Sequence, residues 1–157
     1  MALTNQIGLD AEKVKQLADH LNKLLANYQI FYTNARGFHW NITGDKFFEL
    51  HAKFEELYND VLIKVDEVAE RILTLGHTPI HSFSNYLQIA TIKEAVNISS
   101  GKEAIENIVQ AFQALLVVER EILSLSSDAD DEGTSALMSD YIREQEKQIW
   151  MYAAYLK

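Results

Sequence analysis

Phe38-His39-Trp40-Asn41-Ile42, then after a short break Leu50-His51-Ala52-Lys53-Phe54-Glu55 running on to Asp66-Glu67-Val68-Ala69-Glu70, is the stretch that decides the reading of this chain. From Phe47 to Leu75 there is neither Pro nor Gly, and Gly76 and Pro79 then supply stop signals. The spacing predicts one helix covering His51 through Glu70. At about 100° per residue, Glu55 lies roughly 40°, Asp66 roughly 60° and Glu70 roughly 100° around from His51, so all four share one side. At about 1.5 Å per residue, however, Glu55 and Asp66 stand roughly 16 Å apart along the axis, too far to serve one metal. One copy of the helix cannot close a site. Two antiparallel copies across a two-fold axis can, because the pairs 51/55 and 66/70 are placed symmetrically about residues 60 and 61. The spacing predicts a metal site shared between subunits.

Histidine with carboxylate suits iron, zinc or manganese better than calcium or magnesium. The chain has no cysteine, so any metal is held by N and O atoms and no disulfide forms. Taken singly, these residues are equally open to plainer readings, His39 and His51 as core histidines and Glu67 as a surface partner of Arg71. Their joint phase is what favours the metal. His20 is expected to be a surface histidine. His77 and His81 span Pro79, which breaks the one-turn geometry a ligand pair needs.

Phe54, Leu57, Val61, Val65, Val68, Ile72 and Leu75 form a stripe directed at the subunit's own core, with Tyr58, Leu62, Ala69 and Leu73 on an adjacent face. Lys53, Glu56, Asp60, Lys64, Glu67 and Arg71 are expected on a polar back. An apolar arc this wide implies a partner beyond the helix's own bundle, and another copy fits.

The 157 residues, 48% of them hydrophobic, suit one domain over residues 1–157. Gly and Pro are scarce and long periodic segments dominate, so the class is all-α. Four long helices are expected: one from an N-cap at Asp10 to Trp40, the metal-bearing helix, one opening at Ser100 with Glu103 as a capping box, and one from near Thr134. The connection from Gly76 to about Ser99 holds a short helix around 83–90, and one long crossover of this kind points to a ferritin-like four-helix bundle. The Glu-x-x-His motifs of the conventional intra-subunit di-iron bundle are missing. No apolar run reaches transmembrane length and the N-terminus lacks signal-peptide character, so a soluble cytoplasmic protein is expected. A net charge of −9 without clustered Lys and Arg opposes DNA binding through the bulk surface.

The quoted stretches, together with Gly76-His77-Thr78-Pro79 and the Trp150-containing last helix, resemble the DNA-protection-during-starvation (Dps) miniferritins over nearly the whole chain. The resemblance implies a homo-oligomer, a hollow dodecamer built from two-fold dimers. It implies oxidation of Fe(II), preferably by hydrogen peroxide, and storage of ferric mineral that protects against oxidative damage, with zinc as a possible competitor for the site. The ferroxidase ligands implied are His39, His51 and Glu55 of one subunit facing Asp66 and Glu70 of its mate. Many members of that family have Asp at the position of Glu55. Trp40 is implied either as an interceptor of stray oxidising equivalents or as an aromatic of the dimer contact. Asp128, Asp130 and Asp131, with Glu132, fall where related shells place an iron-entry pore, although a solvated acidic turn before a helix explains them equally well. The alternative from the same resemblance is a non-catalytic shell, storing metal or associated with the nucleoid. The family's DNA-condensing members use a Lys-rich tail, whereas here no basic side chain precedes Lys13, and DNA is not an expected partner.

Overall fold

The structure, a computed structural model, describes residues 3–157. Five helices follow in order: α1 (Ala11–Asn41), α2 (Phe47–Thr74), α3 (Phe83–Ile89), α4 (Gly101–Asp128) and α5 (Glu132–Tyr155). The four long ones form the expected bundle, with α3 inside the crossover between α2 and α4.

Each helix starts and stops for local reasons. The Asp10 carboxylate accepts from the backbone N–H groups of Glu12 and Lys13, each at 3.0 Å, satisfying two of the unpaired donors of α1. Beyond α1, Gly44 takes the left-handed conformation (φ +109°) that turns the chain into α2. At the other end of α2, Gly76 (φ +87°) makes a Schellman exit: Gly76 N–H donates to the Leu73 carbonyl at 2.9 Å and His77 N–H to that of Ile72 at 3.1 Å. Ser100 caps α4 through Glu103 N–H, as its spacing predicts. The last helix begins at Glu132, slightly before the expected Thr134, because Asp131 is its cap, its carboxylate accepting from the Thr134 N–H at 3.1 Å.

Val14, Leu17, Leu21, Leu24, Leu25, Tyr28, Phe31, Ala35 and Phe38 of α1 are buried against Phe54, Leu57, Val61, Val68 and Ile72 of α2 and the inward stripes of α4 and α5. The crossover is strapped to α1 by three asparagines. Asn22 Oδ1 accepts from Ile80 N–H, Asn27 Oδ1 from the N–H groups of Thr91 and Ile92, and Asn34 Oδ1 from Ala95 N–H. A segment with no ladder of its own thereby has its backbone donors satisfied.

The back of α2 differs from the expected solvated face. Lys64 is buried (5% exposed), its ammonium held between Asp60 at 2.8 Å and Glu144 of α5 at 3.0 Å. Arg71 does not pair with Glu67; its guanidinium reaches Asp131 at 2.6 Å and Thr134 Oγ1 at 2.9 Å. That face looks across a polar seam at α5, so its two cations meet carboxylates there in place of bulk solvent.

Candidate metal centre

His39 lies in the last turn of α1 and His51 in the second turn of α2, so the tight turn through Gly44 brings their rings together. The imidazoles stack at 3.8 Å between centroids, tilted by 16°. Phe47 stacks on the outer side of His51 and Tyr58 meets His39 edge-on. The hydrogen bonds are reciprocal. His39 Nδ1–H donates to the His51 carbonyl at 2.6 Å, and His51 Nδ1–H donates to the His39 carbonyl at 2.8 Å. A carbonyl only accepts, so each Nδ1 carries a proton, which makes Nε2 the nitrogen each ring can offer a metal. The His39 carbonyl belongs to the last turn of α1, where helix geometry leaves carbonyls unpaired, so the histidine pair also caps the helix.

Glu55, one turn after His51, is exposed, and neither an ion pair nor a side-chain hydrogen bond engages its carboxylate among the described residues. Asp66 and Glu70 are likewise exposed and unengaged, towards the far end of α2. The fold thus brings His39 and His51 together with Glu55 nearby and leaves Asp66 and Glu70 apart. Among the described residues no group of three or more His, Asp or Glu within one chain is arranged to hold a metal ion.

Trp40 points outward, 64% exposed, with the Arg36 guanidinium 4.8 Å from its ring and 5.0 Å from that of Tyr32. The three aspartates before α5 separate. Asp128 ends α4 and Asp130 takes a left-handed turn (φ +55°), both exposed. Asp131 is 2% exposed and its carboxylate is used up by Arg71 and by the Thr134 N–H and hydroxyl. It is a structural cap and not a free acidic group.

A family model described as the ferritin-like domain matches residues 18–157. The crystal structure of a DPS protein from Vibrio cholerae O1, described as a member of a broad superfamily of ferritin-like diiron-carboxylate proteins, superposes with a TM-score of 0.97 at 58% identity, covering 100% of this chain and 98% of that one. The DNA protection during starvation protein of Porphyromonas gingivalis is 42% identical over 148 residues, covering 94% of this chain and 93% of its own length. The chain belongs to the Dps family. A further Dps structure, from Bacillus brevis, is 35% identical with a TM-score of 0.90, covering 93% of this chain and 98% of its own. Within the Dps family the expected all-α, ferritin-like bundle with its short crossover helix is therefore the observed one.

Proposed function

We propose that this Dps protein oxidises Fe(II) at sites shared between two subunits and stores the ferric product inside a hollow, dodecameric homo-oligomer. The observation that carries the reading is the reciprocal pair of His39 and His51, whose mutual Nδ1 bonds leave Nε2 as the ligating nitrogen of each ring. Two imidazoles oriented through Nδ1, with Glu55 one helical turn after His51, offer part of a ligand set that suits iron and zinc. Asp66 and Glu70 of a mate running antiparallel complete it. The unbroken helix from Phe47 to Thr74 supports the phase on which that symmetry rests. Exposed Trp40, Phe48, Leu62, Ile63 and Leu73 supply the apolar surface for such a contact.

Iron is here the substrate. Two Fe(II) each give up one electron to hydrogen peroxide, which takes two protons and leaves as two water molecules. The paired transfer releases no hydroxyl radical. The histidines bind and orient, while the carboxylates offset the growing positive charge. Trp40, covalently next to His39, stands ready to take a stray oxidising equivalent. The −9 charge favours drawing cations towards the protein over contact with a polyanion, so protection of DNA works through removal of iron and peroxide. Zinc, accepted by the same atoms, competes.

Stopped-flow oxidation of Fe(II) tests this. Peroxide should outpace oxygen, and added Zn(II) should slow both. Traces no faster than protein-free controls with either oxidant would leave only a storage shell.

A further inference from the structure

The centre of the bundle holds a second polar constellation, away from the histidines. Tyr28 of α1, Glu119 of α4 and Gln145 of α5 are each at most 2% exposed. Tyr28 O–H donates to Glu119 Oε1 at 2.6 Å, and Gln145 Nε2–H donates to the Tyr28 oxygen at 2.6 Å. Three buried oxygens around this chain have no partner: Glu119 Oε2, Gln145 Oε1 and the Tyr141 hydroxyl. A hydroxyl flanked by a carboxyl and a primary amide can run its bonds either way, since the carboxyl becomes a donor on protonation and the amide exchanges donor for acceptor by turning over.

We propose that Tyr28, Glu119 and Gln145 form a reversible hydrogen-bond chain. When Glu119 takes up a proton it donates to the Tyr28 oxygen, Tyr28 O–H swings to Gln145 Oε1, and the Gln145 amide turns to put NH2 where its oxygen now stands. The reversed chain satisfies the Gln145 oxygen and removes an unpaired charge from the core. Gln145 also lines a cavity of about 230 Å³ between α2 and α5, together with Glu56, Asp60, Lys64, Glu144 and Tyr152. Proton uptake by Glu119 therefore turns over the amide of a residue that borders a cavity lined by both lysines and carboxylates.

The surrounding charges place the change near neutrality. Burial pushes the Glu119 carboxyl up to about 7, against the lowering influence of the Tyr28 hydroxyl bonded to it, of the neighbouring Gln145 amide and of the charges of Lys64 and Arg120. The other titratable groups facing it are Tyr28 and Tyr141, both raised by burial and neutral throughout this range, with Glu67 and Glu144 acting on Tyr141. Between the ordinary carboxylate range and about 7 the folded chain binds more protons here than the unfolded one, so stability falls as pH rises through that window.

Glu119→Gln locks the protonated arrangement, because its NH2 donates where the acid O–H would. Melting temperatures of the assembled full-length protein, measured at matched concentration from about pH 5 to about pH 8.5, should fall by several degrees for the wild type relative to this variant. Equal slopes would overturn the proposal. Infrared difference spectra with isotope-labelled glutamate report the same proton directly: a buried carboxylic-acid band lost near neutrality, and missing in Glu119→Gln, is expected. Gln145→Met tests the reversal itself. Infrared bands of isotope-labelled glutamine, assigned by their loss in this variant, carry the readout: a Gln145 C=O that gains the Tyr28 O–H on protonation of Glu119 moves to lower frequency with the Glu119 midpoint. A Gln145 carbonyl band unmoved through that titration would overturn the reversal.

Discussion

At the N-terminal end of α2, His51 is clasped by α1: its ring is stacked on His39 and its Nδ1–H is fixed by the His39 carbonyl. At the C-terminal end, Asp66 and Glu70 project exposed from the same helix, and among the described residues no ion pair or side-chain hydrogen bond engages their carboxylates. Imidazole gains from an oriented tautomer when it ligates, and here α1 and α2 impose it on each other through the two carbonyls. A carboxylate needs no such help, since either oxygen accepts in any orientation. In the proposed site, the half that gains from pre-organisation would be the half built within one chain, and the half that tolerates delivery from a second subunit would be the one left exposed.

The sharpest way to break this comparison is to damage one end at a time. His51→Ala and Glu70→Ala should each lower the initial Fe(II) oxidation rate by at least about 100-fold, roughly 2.7 kcal/mol of activation free energy. Co-expressed, they should partly recover. In a mixed dimer one site collects both defects and the other is wholly wild type, so random pairing restores about one quarter of the sites, a consequence of isologous contact. A site built within one chain would recover nothing even with mixed dimers confirmed by mass spectrometry.

The opposite face of α2 gives a second contrast, between buried Lys64 and half-buried Arg71. Arg71 holds a carboxylate that is itself buried, whereas the partners of Lys64, Asp60 and Glu144, are more than half exposed. Removing Arg71 strands Asp131 in the interior, and Arg71→Ala should cost about 3 kcal/mol of stability. Lys64→Met leaves its partners to water and fills the same space with an apolar chain, so its cost should stay within about 1 kcal/mol. Differential scanning calorimetry of the two variants decides whether the partner's burial, rather than the cation's, sets the energy.

The reach of the sequence follows the same division. The phase of His51, Glu55, Asp66 and Glu70 was legible because helix geometry alone sets it, and the caps at Asp10, Ser100 and Gly76 because they are local. The mutual bonds of His39 and His51 were not, since they depend on how closely α1 and α2 approach after the turn. Lys64 and Arg71 read as a solvated back because nothing along α2 signals that α5 lies across from them. Asn22, Asn27 and Asn34 sit in a helix at ordinary polar positions and disclose their role only once the crossover lies over them. Asp131 looked like its neighbours Asp128 and Asp130 for the same reason: its partner is 60 residues away in sequence.

That last distinction yields the smallest expected effect. If the acidic turn before α5 guides iron inwards, the groups that do so must be free, which leaves Asp128 and Asp130 and removes Asp131. Two exposed carboxylates act on an approaching cation through water and at a distance, where salt screens them within about 10 Å at 0.1 M ionic strength. Asp128→Asn with Asp130→Asn should therefore slow mineralisation only a few-fold, and only at low iron and low salt, with melting temperature unchanged. Asp131→Asn should do the reverse, lowering the melting temperature through the loss of its charge-assisted bond to Arg71 while uptake per assembled shell stays near wild type. Uptake rates at two salt concentrations, set beside the melting curves, separate the two roles. Unchanged uptake in the double variant would make the turn a solvated loop, and slowed uptake in Asp131→Asn shells of normal stability would return that residue to the entry path.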